Sequence, residues 1–168
     1  LTILRIQKDT QIAVIEMGAN HQKEIEGYCR YTQPTHGVIT NCGKAHLEGF
    51  GGEEGVKKGK GELFQFLSTH NGTAFAFADY DYLHDLSQRV PHVIWYGTSS
   101  GIVQGKIEHA MPFLKVSICG ALEITVATRL VGNYNLPNVL CAATIGHYFG
   151  VPADKIKTAI ENYIPTNS

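Results

Sequence analysis

Residue types that can bind metal ions or neutralise phosphates are concentrated between residues 40 and 67, TNCGKAHLEGFGGEEGVKKGKGELFQFL. The stretch opens like the end of a strand and closes like a helix. Between these parts it holds His46, Glu48 and six glycines before Lys60, with three lysines within four positions. Imidazole nitrogens bind metal ions, and lysine ammonium groups neutralise phosphates. The stretch is therefore the first candidate for a functional site.

Glu16 is a second candidate, because it lies near the end of the apolar run IAVIEMG, residues 12–18. In parallel sheets, ligands gather at the carboxyl ends of the strands, and His46 follows the end of the next predicted strand. A carboxylate and an imidazole on neighbouring strand ends could together hold one divalent cation. The pattern alone leaves solvated loop positions open for both residues, since strand ends commonly carry polar side chains.

Lys60 is flanked by Gly59 and Gly61 within a predicted helix. Each helical glycine costs about 1 kcal/mol relative to alanine, so we expect some group to approach the backbone closely there. Lys60 also shares a helical stripe with Val56 and Leu63. This spacing predicts that Lys60 points inward, whereas the two lysines before it belong to a solvated face.

The elements that must position these residues alternate between strand and helix. Buried strands are predicted at 12–18, 36–43, 72–79 and 92–97, and helices at 23–31, 51–67 and 81–88. Three further strands at 102–110, 113–120 and 121–130 predict an antiparallel section, and helices follow at 135–150 and 152–164. The predicted fold class is α/β, a three-layer αβα arrangement with a mostly parallel sheet and an antiparallel β section.

Composition describes one ordinary domain. The chain has 168 residues, of which 43% are hydrophobic and 17% charged, enough for a single core. A net charge of -1 predicts no nucleic-acid partner, and the apolar runs are too short to span a membrane. The four cysteines contain no C-x-x-C pair, which favours reduced thiols in a cytoplasmic protein.

Three long segments together resemble the central domain of the Mur ligase family. They are AVIEMGANHQKEI, THGVITNCGKAHLEGFGGEEGVKKGKGELF and GNYNLPNVLCAATIGHYFGVPADKIKTAIENYIP, and the resemblance extends from Leu1 to about Pro165. It implies a P-loop-NTPase-like domain of an ATP-dependent amide ligase, which forms an acyl phosphate that an amine then attacks. The match is closest to members that add D-alanyl-D-alanine to UDP-N-acetylmuramoyl tripeptide in peptidoglycan precursor synthesis.

The resemblance also implies roles for the matching residues. Glu16 and His46 would bind Mg²⁺, and Lys60 would be carried as a carbamate that helps to bind a second Mg²⁺. If unmodified, the Lys60 ammonium could still neutralise phosphate charge. The family's substrate and phosphate contacts match Asn20, His21 and Asn41, for which simple loop hydrogen bonding is the alternative.

The segment GNYNLPN, residues 132–138, is the candidate for binding adenine. Asn135 and Asn138 are three residues apart at a helix start, so their amides can share one side. A carboxamide matches the N7 and N6 groups of adenine, although on pattern alone Asn135 could simply cap the helix. The resemblance to the family pattern G-x-H-N-x-x-N implies the adenine role. Here Tyr134 replaces the usual histidine and Asn133 the usual arginine.

The resemblance finally implies that the 168 residues are the central piece of a longer monomeric ligase. No G-x-x-x-x-G-K-[ST] loop occurs in the sequence. The UDP-binding amino-terminal domain, the phosphate loop and the carboxy-terminal domain are expected outside this chain, and the piece alone is expected to be inactive. Three alternatives stay open: another amide ligase such as a folylpolyglutamate synthase, a noncatalytic nucleotide-binding module, and a metallohydrolase built on His21, His36 and His46.

Overall fold

The computed structural model describes residues 6–43 and 47–165. The helices are α1 (Glu24–Thr32), α2 (Leu47–Phe50), α3 (Glu53–Thr69), α4 (Asp81–Ser87), α5 (Leu136–Tyr148) and α6 (Ala153–Asn162), with a 3₁₀ turn at Asn133–Asn135. The strands are β1 (His36–Val38), β2 (Thr73–Phe77), β3 (His92–Gly97), β4 (Val103–His109), β5 (Lys115–Gly120) and β6 (Ile124–Ala127).

The six strands form one mixed sheet in the order β1-β2-β3-β4-β5-β6. The pairings from β1 to β4 are parallel, and β4, β5 and β6 pair antiparallel. Helices connect β1 to β2 and β2 to β3, as is usual for parallel neighbours. Residues 98–102 connect β3 to β4 without a helix, and the parallel pairing of these two strands covers only two residue pairs. The predicted mostly parallel sheet with an antiparallel section is confirmed.

The two faces of the parallel section carry side chains of different size. Phe75 of β2 contacts the Tyr148 ring of α5, with ring centroids 5.2 Å apart. On the other face lie Gly37 of β1 and its register partner Ala74. A Cβ added to Gly37 would lie 3.0 Å from Leu67 Cδ1 of α3. Helices α3 and α5 therefore cover opposite faces, which gives the predicted three layers.

The sequence predicts a buried strand over residues 12–18, and this prediction is wrong. These residues belong to none of the six strands, and Ile12 and Val14 are 58% and 85% exposed. A strand becomes buried only when other elements cover its edges and faces. Within the described part of the chain, β1 pairs only with β2, so no strand there receives residues 12–18.

β1 is shorter than the predicted strand at 36–43. It ends at Val38, where its pairing with β2 also ends. Ile39 remains buried, whereas Thr40 and Asn41 are exposed. The residues after Ile39 therefore form a loop at the carboxyl end of the strand.

Helix α6 covers the edge of the sheet formed by β6. The backbone N–H of Ala127 donates to Glu161 Oε1 at 3.0 Å, and Lys157 Nζ donates to the carbonyl oxygen of Thr125 at 2.6 Å. Unpaired backbone groups of an edge strand can template pairing with another strand. The two side chains occupy such groups on β6.

All four cysteines, Cys29, Cys42, Cys119 and Cys141, are free, as predicted. Burial raises the pKa of the Cys141 thiol, so this cysteine is protonated at neutral pH. In the described ranges, no helix combines the length and the apolar character needed to cross a bilayer.

We expect Leu140→Ala in α5 to lower the free energy of unfolding by about 2–5 kcal/mol, because a cavity replaces a fully buried side chain. Val14→Ala is the control and should change it by less than about 0.5 kcal/mol, because Val14 is mostly exposed. Urea denaturation of both variants measures the difference. Similar losses for the two variants would contradict the exposed position of Val14.

Candidate functional site

Helix α3 approaches its neighbours closely at two glycines. A Cβ added to Gly59 would overlap the ring of Phe50 in α2, and one added to Gly61 would lie 2.8 Å from Leu86 Cδ2. The close approach predicted from these glycines is confirmed, and the approaching groups are side chains of this chain. The glycines thus set how near α3 lies to its neighbours.

Lys60 extends from α3 to the loop after β1. Its Nζ donates to the carbonyl oxygen of Asn41 at 2.6 Å, and Asn41 Oδ1 accepts the backbone N–H of Gly43 at 3.1 Å. Lys60 is partly buried, so the prediction that it points inward is confirmed. The structure therefore brings together two of the predicted site residues, Lys60 and Asn41.

Tyr82 of α4 holds the same loop, which the sequence analysis missed. Its hydroxyl oxygen accepts the backbone N–H of Cys42 at 3.1 Å. Burial raises the pKa of Tyr82 to about 12. Burial also raises the pKa of the Cys42 thiol, and the positive charges of Lys60 and Lys57 offset part of that rise. Both side chains are therefore neutral at pH 7, and Tyr82 holds the loop through an uncharged hydrogen bond to the backbone of Cys42.

Asn20 and His21 lie in the loop that precedes α1. Glu24 Oε2 accepts the backbone N–H of Asn20 at 2.7 Å and that of His21 at 3.2 Å, and these hydrogen bonds hold the pKa of Glu24 below its usual value. Helix α2 packs on this loop, because a Cβ added to Gly49 would overlap the Asn20 carbonyl oxygen. The loop is therefore held from two sides, while both side chains are exposed.

Glu62 is a buried carboxylate that the sequence analysis also missed. It is 7% exposed, and its two oxygens accept the backbone N–H groups of Lys23 at 2.6 Å and Glu26 at 3.0 Å. Burial, with the nearby negative charge of Glu62, raises the pKa of the Cys29 thiol to about 11.

The predicted metal-binding pair of Glu16 and His46 can be followed in the structure only at Glu16. The side chain of Glu16 is exposed, and its predicted place at a strand end is wrong because residues 12–18 form no strand. His46 lies outside the described residues. Within the described residues, no group of three or more His, Cys, Asp or Glu side chains could hold a metal ion. Metal binding by Glu16 and His46 therefore stays a prediction.

His36 lies at the amino end of β1 in an aromatic cluster. Its ring centroid is 5.4 Å from that of Tyr148 and 5.1 Å from that of Phe149, and its Nε2 is 3.2 Å from the Tyr148 hydroxyl. Burial lowers the pKa of His36. The Asn41 loop follows the opposite end of the strand, which argues against a metallohydrolase site that includes His36.

Asn135 and Asn138 share one side of the start of α5, as predicted. Asn138 Nδ2 donates to Asn135 Oδ1 at 3.1 Å, and Asn135 Nδ2 donates to the carbonyl oxygen of Val131 at 3.0 Å. The Asn135 side chain does not cap α5, so the helix-cap alternative is wrong. Tyr134, beside this pair, is 76% exposed.

We expect Gly59→Ala to lower the free energy of unfolding by about 1–3 kcal/mol, because the new methyl group must displace the Phe50 ring. Gly27→Ala in α1 is the matched control. No described neighbour lies within 4 Å of a Cβ added there, so the free energy of unfolding should rise by about 0.5–1 kcal/mol. Thermal denaturation compares the two, and equal stabilisation would contradict the close packing of α2 on α3.

A family model described as the Mur ligase middle domain matches residues 1–146. Two curated relatives are named UDP-N-acetylmuramoyl-tripeptide–D-alanyl-D-alanine ligase. The one from Haemophilus influenzae is 34% identical over 165 residues, which cover 96% of this chain and 35% of that protein. The one from Escherichia coli K12 is 34% identical over 170 residues, covering 96% of this chain and 37% of that protein. The chain thus spans between 35% and 37% of these relatives.

Solved structures give the same fold. MurF from Acinetobacter baumannii matches with a TM-score of 0.87 and 26% identity, covering 98% of this chain and 37% of that one. A MurF ligase from Thermotoga maritima, crystallised in complex with ADP, matches with a TM-score of 0.81 and 23% identity, covering 98% and 39%. These similarities confirm the predicted α/β class.

Proposed function

We propose that this chain, which belongs to the Mur ligase family, is the central ATP- and Mg²⁺-binding domain of an ATP-dependent amide ligase. The proposed reaction joins D-alanyl-D-alanine to UDP-N-acetylmuramoyl tripeptide through an acyl phosphate. Both relatives at 34% identity carry the name of this ligase. Their names favour this reaction over that of a folylpolyglutamate synthase.

We propose that the chain works within a longer polypeptide. It covers 35% of the length of its Haemophilus influenzae relative. A UDP-binding domain and the phosphate loop would precede it, a further domain would close over the site, and the protein would act as a cytoplasmic monomer. The 168 residues alone are then expected to lack ligase activity.

The chemistry requires charge neutralisation, because ATP phosphates must approach a substrate carboxylate. Two unit charges 4 Å apart repel by about 4 kcal/mol at an effective dielectric constant of 20. Bound Mg²⁺ offsets this charge and aligns the attacking and leaving oxygens. Glu16, His46 and Lys60 as a carbamate would hold the metal ions, and the carboxylate oxygens suit this hard cation.

The contact between Lys60 and Asn41 is the observation that carries the proposal. It places the lysine of the K-G-E-L-F pattern within 2.6 Å of the backbone of the T-N-x-G-x-A-H pattern. The neutral amine of Lys60 can form an N–C bond to carbon dioxide and release a proton. The carbamate would keep one N–H that could donate to Asn41, and its carboxylate oxygens would supply ligands for Mg²⁺.

The other predicted contacts fit the same proposal. Asn41 Oδ1 is engaged by Gly43, which leaves its Nδ2 group to donate to a substrate or phosphate oxygen. Asn20 and His21 would contact the substrate or phosphates from the neighbouring loop. The paired amides of Asn135 and Asn138 would bind adenine through its N7 and N6 groups.

We expect Lys60→Ala, in the polypeptide that contains this chain, to lower ATP-dependent phosphate release on the order of a hundredfold, as loss of one stabilising group in a site does. The assay uses UDP-N-acetylmuramoyl tripeptide plus D-alanyl-D-alanine. Short carboxylic acids such as formate or acetate should restore part of the activity, because they can replace the missing carbamate. Lys58→Ala is the control and should keep wild-type activity, because Lys58 is exposed.

Two results would contradict this proposal. One is wild-type activity in Lys60→Ala. The other is the absence of phosphate release from the unsubstituted polypeptide with both substrates present, which would favour a different amide-ligase substrate or a noncatalytic nucleotide-binding module.

We expect Asn138→Ala to raise the KM for ATP by about five- to tenfold, because one hydrogen bond to adenine is lost. The KM for D-alanyl-D-alanine should stay unchanged. Asn162→Ala, an exposed asparagine at the end of α6, is the matched control. Steady-state kinetics with each substrate varied in turn test this prediction, and an unchanged KM for ATP would remove Asn138 from the adenine site.

A further inference from the structure

We infer that Glu62 is a positioning residue for the proposed site, because its carboxylate fixes the loop that carries Asn20 and His21. The inference rests on the proposed function, since it concerns the same site. Glu62 belongs to α3, the helix that also carries Lys60. One turn of α3 therefore connects to both loops, the one before α1 through Glu62 and the one after β1 through Lys60.

The Glu62 carboxylate caps α1 from a different helix. The first N–H groups of an α-helix have no partners within the helix, and Lys23, which precedes α1, provides no side-chain cap. Glu62 accepts the N–H groups of Lys23 at 2.6 Å and Glu26 at 3.0 Å. A carboxylate in this position also interacts favourably with the helix dipole. Glu62 thus supplies the cap that the start of α1 lacks.

This cap determines the path of the chain before α1. Lys23 has a φ of 75°, in the left-handed region that residues with side chains rarely occupy. Its bond to Glu62 holds that turn in place. Directly before the turn, the N–H groups of Asn20 and His21 bind Glu24 in the first turn of α1. Two sets of hydrogen bonds, joined by the covalent step from Lys23 to Glu24, therefore connect α3 to the two exposed site residues.

Glu62 does not meet the conditions for a catalytic residue. It is 7% exposed, and both of its carboxylate oxygens are bound to backbone N–H groups. Its contribution is to hold Asn20 and His21 at a fixed place relative to Lys60. Side chains held in this way can meet a bound substrate or phosphate in one fixed orientation.

Glu62→Gln in this chain tests the inference, because glutamine keeps the size but places an NH₂ donor opposite one backbone N–H. Amide hydrogen exchange measured by NMR should be about tenfold faster or more at Lys23 and Glu26, and also at Asn20 and His21. The amides of α6 should keep their wild-type rates.

Glu26→Gln is the matched control. The Glu26 carboxylate contacts Lys23 Nζ and Arg30 in exposed ion pairs and does not touch the N–H groups that Glu62 binds. Its exchange rates at the four amides should equal those of the wild type. Glu62→Asp is the second variant, in case Glu62→Gln does not fold. It keeps the charge but is one methylene shorter, so it should release only one of the two N–H groups.

The second measurement is a kinetic assay on the longer polypeptide that contains this chain. Glu62→Gln should raise the KM for ATP or for UDP-N-acetylmuramoyl tripeptide by about tenfold or more, because Asn20 and His21 are the proposed contacts to the phosphates or the substrate and would lose their fixed place. The KM for D-alanyl-D-alanine should not change. A residue that only stabilises α1 would leave the KM values for ATP and for UDP-N-acetylmuramoyl tripeptide as they are.

The outcomes separate this inference from the proposed function. Wild-type exchange at the four amides in both Glu62 variants overturns the inference, whatever the activity. Faster exchange with unchanged KM values for ATP and for UDP-N-acetylmuramoyl tripeptide also overturns it, because Glu62 would then act on stability alone. Faster exchange in the Glu62 variants, together with no phosphate release from the wild-type polypeptide, contradicts the proposed function. It then supports only the conclusion that Glu62 fixes the loop before α1.

Discussion

The close packing of α3 against its neighbours is the constraint on which the candidate site depends. Side chains at positions 59 and 61 would collide with Phe50 and Leu86, so glycine at both positions sets the distance between the helices. At that distance, a lysine reaches the loop after β1 and a carboxylate reaches the loop before α1. The loss in helix propensity at the glycines is the cost of bringing two charged side chains into contact with separate loops.

Much of the fold could be predicted from local pattern. Periodicity, short apolar runs and turn residues predicted α1, α3 and α5 and the strands β2 to β6. β2, for example, is an apolar run that is buried at all five positions. The exception is residues 12–18, where an apolar run suggested burial that the described chain does not provide. Hydrophobic composition reports what a segment needs, whereas burial depends on which other segments cover it.

The parts of the candidate site that could be predicted are those whose residues lie close together in the sequence. The inward direction of Lys60 followed from its helical stripe, and the Asn135–Asn138 contact followed from their spacing. Glu62 and Tyr82 were missed because their partners are distant in sequence, 39 residues away for Lys23 and 40 for Cys42. No periodicity relates residues so far apart, and only the packing of α3 and α4 beside the sheet brings them together.

The two edge strands of the sheet, β6 and β1, have different neighbours. At β6, two side chains of α6 bind backbone groups that a further strand would need for pairing. At the opposite end, β1 pairs only with β2 within the described residues. A further strand could therefore pair at the β1 edge, where the described residues provide no second partner. The Asn41 loop follows the carboxyl end of β1, so such a strand would lie beside the loop that Lys60 contacts.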